Sequence, residues 1–180
     1  MKKLILLILI AGILFTKYGL GQNKTTTERD SAKWKSIESV KTIDGILDKV
    51  LEIINRENGE QCDTATFRKL FLPTAHFTVH MHSDSFPRPI ETVSLDAFIE
   101  LISDPYYGEG FEEKELNKIV DEYNDIAHVF QVYRVRDSDG IEETGLNSFQ
   151  LIYFEERWWI VSVMWTGNSN GVQVPKKYLK

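Results

Sequence analysis

The sequence predicts an α+β fold, with helices first and a meander of long antiparallel strands last. Two observations carry this. Up to about residue 102, apart from a period-two stretch at 75–82, the apolar side chains recur at three- and four-residue steps, the period of an amphipathic helix. From about residue 112 onward they fall in strand-length runs broken by short polar turns.

The elements follow in order. Ile37, Val40, Ile43, Ile46, Leu47, Val50, Leu51 and Ile54 form one stripe, which predicts a helix over 37–54. Asp63 can cap a short second helix whose Phe67, Leu70 and Phe71 share a face, with Pro73 ending it. Residues 75–82 switch to period two: Ala75, Phe77, Val79 and Met81 on one face, His76, Thr78, His80 and His82 on the other. Ser94 then caps a third helix that ends before Asp104-Pro105. Strands are predicted over 112–123, 126–136, 145–154 and 156–166. Asn124-Asp125 turns the first pair, and a two-residue turn centred on Phe154-Glu155 joins the last.

That last hairpin holds three of the four tryptophans and is apolar on both sides. With the turn at Phe154-Glu155, Leu151 faces Trp158, Phe149 faces Ile160 and Asn147 faces Ser162. This row starts apolar and becomes polar, as a core opening into a pocket would. The opposite row carries Trp159, Val161, Val163 and Trp165, and the helices can cover only one face. A homodimer interface on those four residues is therefore expected.

At the N-terminus, Lys2 and Lys3 precede an apolar run from Leu4 to Phe15, and Gly19 and Gly21 are small residues before Gln22. The pattern predicts a cleaved signal peptide over 1–21, a polar leader over 22–36 and one domain over 37–180. The protein is then exported, periplasmic or secreted, with no membrane contact after cleavage. Net charge moves from −6 to −9 once Lys2, Lys3 and Lys17 are removed, which argues against nucleic acid and anionic membranes as partners. Cys62 is the single cysteine, so no intrachain disulfide can form.

Three stretches carry a resemblance: "FLPTAHF" (71–77), "NDIAHVF" (124–130) and "RWWIVSVMW" (157–165). In this order and spacing the chain resembles the nuclear transport factor 2-like (SnoaL-like) superfamily, and within it a group of uncharacterised bacterial exported proteins. The resemblance covers about residues 38–179. It implies a cone-like, strongly bent antiparallel sheet with three helices from the N-terminal half on its concave face. It also implies a pocket inside the cone and commonly a dimer through the outer face. It implies no activity, because this scaffold hosts isomerases, dehydratases, cyclases and non-catalytic binders.

The candidate chemistry is polar rather than metallic. Gln131 and Tyr133 lie on the face of Ala127 and Val129, which looks inward in the superfamily, and the hairpin adds Asn147 and Ser162. These four are the expected ligand-binding residues for a small, partly apolar molecule. His128 and Asp121 are the candidate bases for an alternative, a cofactor-free isomerase, dehydratase or cyclase. His128 is a pocket base if its face is the concave one, and otherwise an interface or core histidine bonded to a neighbour. A non-catalytic dimeric interaction module is the third alternative. Tyr106 and Tyr107 are candidate lid residues. His76, His80 and His82 could approach a zinc ion, but no thiolate pair or helical His pair completes a tetrahedral set. No metal and no cofactor are expected.

Overall fold

A computed structural model of the chain describes residues 38–82, 89–104 and 109–180. The segments expected to be a signal peptide and a leader, and Tyr106 and Tyr107, lie outside the described residues. Three helices, α1 (Ile43–Ile54), α2 (Thr64–Arg68) and α3 (Leu95–Ile102), pack on a curved, unclosed sheet of six strands. The strands are β1 (Phe71–His80), β2 (Ile90–Ser94), β3 (Phe111–Tyr123), β4 (Ile126–Asp137), β5 (Glu142–Phe154) and β6 (Arg157–Gly167). Their lateral order is β2-β1-β6-β5-β4-β3. All neighbours are antiparallel except β1 and β6, which run parallel.

The first helix is shorter than its stripe suggests. Residues Glu38–Lys41 form a separate 3-10 turn, and Thr42 is extended so that its Oγ1 accepts from the Gly45 N–H at 3.0 Å. Asp63 and Ser94 cap α2 and α3 in the same way, through Thr66 N and Ala97 N. β2 was not anticipated from the sequence. It is five residues long and ends at Ser94, the residue that caps α3.

The β3–β4 and β5–β6 hairpins each turn on two residues with positive φ: Asn124 and Asp125, at 46° and 68°, and Glu155 and Glu156, at 53° and 64°. The second turn therefore sits one residue beyond the expected Phe154-Glu155. A bulge at Val161 then shifts the register again: Leu151 pairs with Ile160, but Gln150 pairs with Ser162. The expected partners are replaced by Phe149–Val163 and Asn147–Trp165.

Lateral partners in a sheet project from the same side, so the register reads out each face row by row. On the concave, helix-covered face one row is entirely apolar: Val120, Val129, Phe149, Val163, Phe77 and Val93. Against it lie Ile46, Leu47 and Val50 of α1, Phe67 of α2, and Ile99 and Ile102 of α3. The aromatic centre is compact, with Phe77 and Phe98 stacked at 4.0 Å and Phe67 4.7 Å from Phe71. Two residues along each strand, the same face reads Lys118, Gln131, Asn147, Trp165 and Val79. Beyond that come Glu115, Tyr133, Gly145 and Gly167, and then Glu113 and Glu143 opposite Val135. The concave face thus grades from apolar to polar along the strands.

The outer face carries Asp121, His128, Gln150, Ser162 and His76 in one row and Ile119, Phe130, Ser148, Met164 and Thr78 in the next. The C-terminal 3-10 turn Lys176–Tyr178 lies across β3 and β4. The Tyr178 ring is 5.3 Å from Phe130, and Asn117 Nδ2 donates to the Tyr178 carbonyl at 2.8 Å.

Candidate functional site

The polar end of the concave face is a chain of buried amides and carboxylates. Gln131 is 1% exposed and Asn147 6%. Asn147 Nδ2 donates to Gln131 Oε1 at 3.1 Å and to Glu113 Oε1 at 2.9 Å. Gln131 Nε2 donates to Glu115 Oε2 at 2.7 Å, and Glu115 Oε1 accepts from Lys118 Nζ at 2.6 Å. Lys118 also reaches Asp44 of α1 at 3.2 Å. Asn55, the C-cap of α1, holds the Glu113 backbone through both of its amide atoms, so the end of α1 fixes the strand that carries the carboxylate.

Glu113 and Tyr133 are the two unusual groups. Desolvation pushes the Glu113 pKa up to about 7, against the bond from Asn147, which lowers it. Tyr133 is 4% exposed, and burial raises its pKa first, with the charges of Glu143 and Glu113 adding to the rise. Its phenol is therefore neutral, and its hydroxyl has no hydrogen-bond partner among the described residues. Two glycines make the geometry possible. The Tyr133 ring lies over Gly145 and the Glu143 carboxylate over Gly167, where any Cβ would collide with them.

The expected site residues divide between the two faces. Gln131, Tyr133 and Asn147 meet on the concave face, as described. Ser162 does not join them: the bulge turns it outward, where its Oγ donates to Gln150 Oε1 at 2.9 Å. His128 and Asp121 are lateral partners on the outer face, away from the polar cluster, and His128 Nε2 bonds Ser148 Oγ at 2.8 Å. The row expected to form an interface is likewise split. Trp159 and Val161 are half-buried, with the Arg157 guanidinium 3.7 Å above the Trp159 ring. Val163 belongs to the core, and Trp165 packs against Phe98 on the helix-covered side. Among the described residues no group of three or more His, Cys, Asp or Glu side chains could hold a metal ion.

Glu113 and Glu115 were missed by the sequence reading. In "FEEKE" they look like a solvated charge run, and a register shift between Glu115 and Asn117 exchanges the inward parity of β3. The usable signal was the hairpin at Asn124-Asp125, which sets Lys118 opposite Gln131. A separate open groove of roughly 430 Å3 lies between the end of α1 and the β3–β4 rim, lined by Arg56, Glu57, Glu60, Glu112 and Arg136 among others. Arg136 and Lys114 both pair with Glu112 there.

No family model and no curated protein matches the chain. Solved structures do. A nuclear transport factor 2-like protein with a cystatin-like fold from Novosphingobium aromaticivorans aligns at a TM-score of 0.57 and 13% identity, covering 88% of this chain and 99% of that one. A candidate ketosteroid isomerase from Shewanella frigidimarina aligns at 0.51 and 16% identity, covering 72% and 97%. A nuclear transport factor 2-like protein of unknown function from Silicibacter pomeroyi aligns at 0.50 and 18%, covering 68% and 89%. The fold is that of the nuclear transport factor 2-like superfamily.

Proposed function

We propose that the protein binds a small, partly apolar molecule at the polar end of its concave face. The observation that carries this is bonding capacity left over at the half-buried, polar end of the face. A purely structural core normally satisfies its polar groups. Here the chain from Glu115 through Gln131 and Asn147 reaches Glu113, and the Tyr133 hydroxyl beside it is unpartnered among the described residues. Gln131, Asn147, Tyr133 and Glu113 would orient the ligand's polar end, and the half-buried Val79 and Trp165, in the row of Asn147, would take its apolar part. Native mass spectrometry of protein purified from its own host tests this. A retained small molecule is expected, and Asn147→Leu should release it. A wild type that never carries or binds a small molecule would defeat the reading.

Glu113 supports a second reading, a cofactor-free isomerase, dehydratase or cyclase. A carboxylate with pKa near 7 is matched to taking a proton at neutral pH, and the neutral Tyr133 phenol could donate to the enolate oxygen that forms. The proton taken by the carboxylate from the carbon beside a carbonyl would return to the substrate at a second carbon. Exchange of α-hydrogens of cyclic ketones in D2O measures this step. Glu113→Gln should slow it by roughly 10²–10⁴-fold.

Export and self-association belong to the same proposal. The charged, apolar and small-residue pattern of residues 1–21 supports a cleaved signal, and intact mass of the exported form checks it. On the outer face Met164 is 53% exposed in the row of Ile119, Phe130, Ser148 and Thr78, and a second copy of the chain is the proposed cover. Sedimentation of the wild type against Met164→Lys is the measurement, with a dimer expected only for the former.

A further inference from the structure

We infer that the ligand's polar end is a cation, a primary ammonium or guanidinium group on an apolar body, received between Glu113, Glu143 and the Tyr133 hydroxyl. This rests on the binding reading and adds the chemical class.

The inference comes from counting which bonding groups remain free. Glu115 is spent, one oxygen on Lys118 and the other on Gln131. Both amide hydrogens of Asn147 point at acceptors, and Gln131 uses its oxygen on Asn147 and its nitrogen on Glu115. What remains is mostly acceptor: the second oxygen of Glu113, the second oxygen of Glu143 and the Asn147 carbonyl oxygen. The donors that remain are the Tyr133 hydroxyl, which accepts as well, the second Nε2 hydrogen of Gln131, and the Glu113 carboxyl while it holds its proton. A ligand rich in donors fits this inventory, and above about pH 7 an anionic head group would meet two carboxylates.

Charge points the same way. Among the described residues Glu113 and Glu143 have no cationic partner: one accepts from an amide side chain, the other from the Ser169 backbone N–H at 3.1 Å. Both charges act on the buried Tyr133. The neighbouring cations are engaged elsewhere. Lys118 of β3 bridges Glu115 and Asp44 of α1, and Arg56 at the end of α1 donates to the Ile102 carbonyl at 2.7 Å. Glu91 of β2 shares the face at its far edge. On β3, β4 and β5 the charges Glu112, Lys114, Arg134, Arg136 and Glu142 have the opposite parity, whereas Asp137, paired with Phe111, shares the parity of Glu113, and Glu122, paired with Ala127, lies on the same face at its other end.

A bound cation favours ionised Glu113, so binding releases a proton below the pKa of that group and affinity rises as pH rises through about 7. Titration calorimetry with three matched probes, 4-phenylbutylamine, 4-phenylbutan-1-ol and 4-phenylbutyrate, separates the possibilities. At pH 8 the amine should bind at least about tenfold more tightly than the alcohol, and the carboxylate most weakly. Between pH 6 and pH 8 the amine affinity should gain about three- to tenfold while the alcohol's stays level. Glu113→Gln should abolish that gain, and Glu143→Gln should weaken the amine while keeping it. Equal binding of amine and alcohol, or tighter binding of the carboxylate, overturns the cation and leaves the binding reading standing. Failure of all three probes to bind overturns both.

Discussion

The two ends of the concave face are built on the same strands, four residues apart, and are held by opposite means. At one end Val129, Phe149, Val163 and Phe77 meet the helices, and each removes apolar surface from water without any directional bond. At the other end Gln131, Asn147 and Tyr133 are buried nearly as deeply and Glu113 is half-buried, but they have groups that cost free energy to desolvate. The first end stabilises the fold, while the second is carried by it. Burial alone therefore does not distinguish core from site here. The balance of bonds made and bonds left over does.

The largest effect should come from the apolar end. Phe77→Ala removes a ring stacked on Phe98 and in contact distance of Phe67 and Phe71, and should lower stability by about 3–5 kcal/mol in denaturant unfolding. Gly145→Ala, at the seam between the ends, would drive a methyl group into the Tyr133 ring and the Thr166 backbone oxygen. A loss of about 1–3 kcal/mol is expected, with displacement of Tyr133 visible in its ring NMR signals. Glu113→Gln should act with the opposite sign. The folded state holds the Glu113 proton up to about pH 7, whereas the unfolded chain loses it near the ordinary 4.5, so folding binds a proton in that window. Wild-type stability should therefore fall as pH rises from about 4.5 to 7. Glu113→Gln should flatten that fall and be the more stable form at pH 8 by about 1–2 kcal/mol. A steeper fall in the variant would break the contrast between the ends. The smallest change belongs to the outer face: Thr78→Val loses only the exposed hydroxyl pair with Thr92 and should shift stability by less than about 0.5 kcal/mol.

The parts of this structure that were legible in the sequence are those with a period or a cap. The stripe of α1, the caps Asp63 and Ser94, and the Asn124-Asp125 turn all have a local chemical signature, and Gln131, Tyr133 and Asn147 follow from strand parity. Parity fails wherever a strand takes an extra residue. Val161 has no glycine beside it to mark a bulge, so Ser162, Val163 and Trp165 were each assigned to the wrong face. The same loss of parity in β3 hid Glu113 and Glu115. Glu155-Glu156 lacks the Asn-Gly chemistry usual where both residues take positive φ, which is why the turn was centred one residue early.

The parallel pairing of β1 with β6 has a consequence for the order in which the chain can fold. β1 ends at His80 and its partner begins at Arg157, so the six-stranded sheet cannot be completed until β6 has been made. Local contacts can form earlier in α1 and in the β3–β4 hairpin, but the face of Phe77 stays open to water until β6 arrives. A pairing this distant in sequence slows folding, because loop closure must come before any contact repays it. Until β6 has been made, a chain of this topology is incomplete as a fold and stays threadable through a narrow channel.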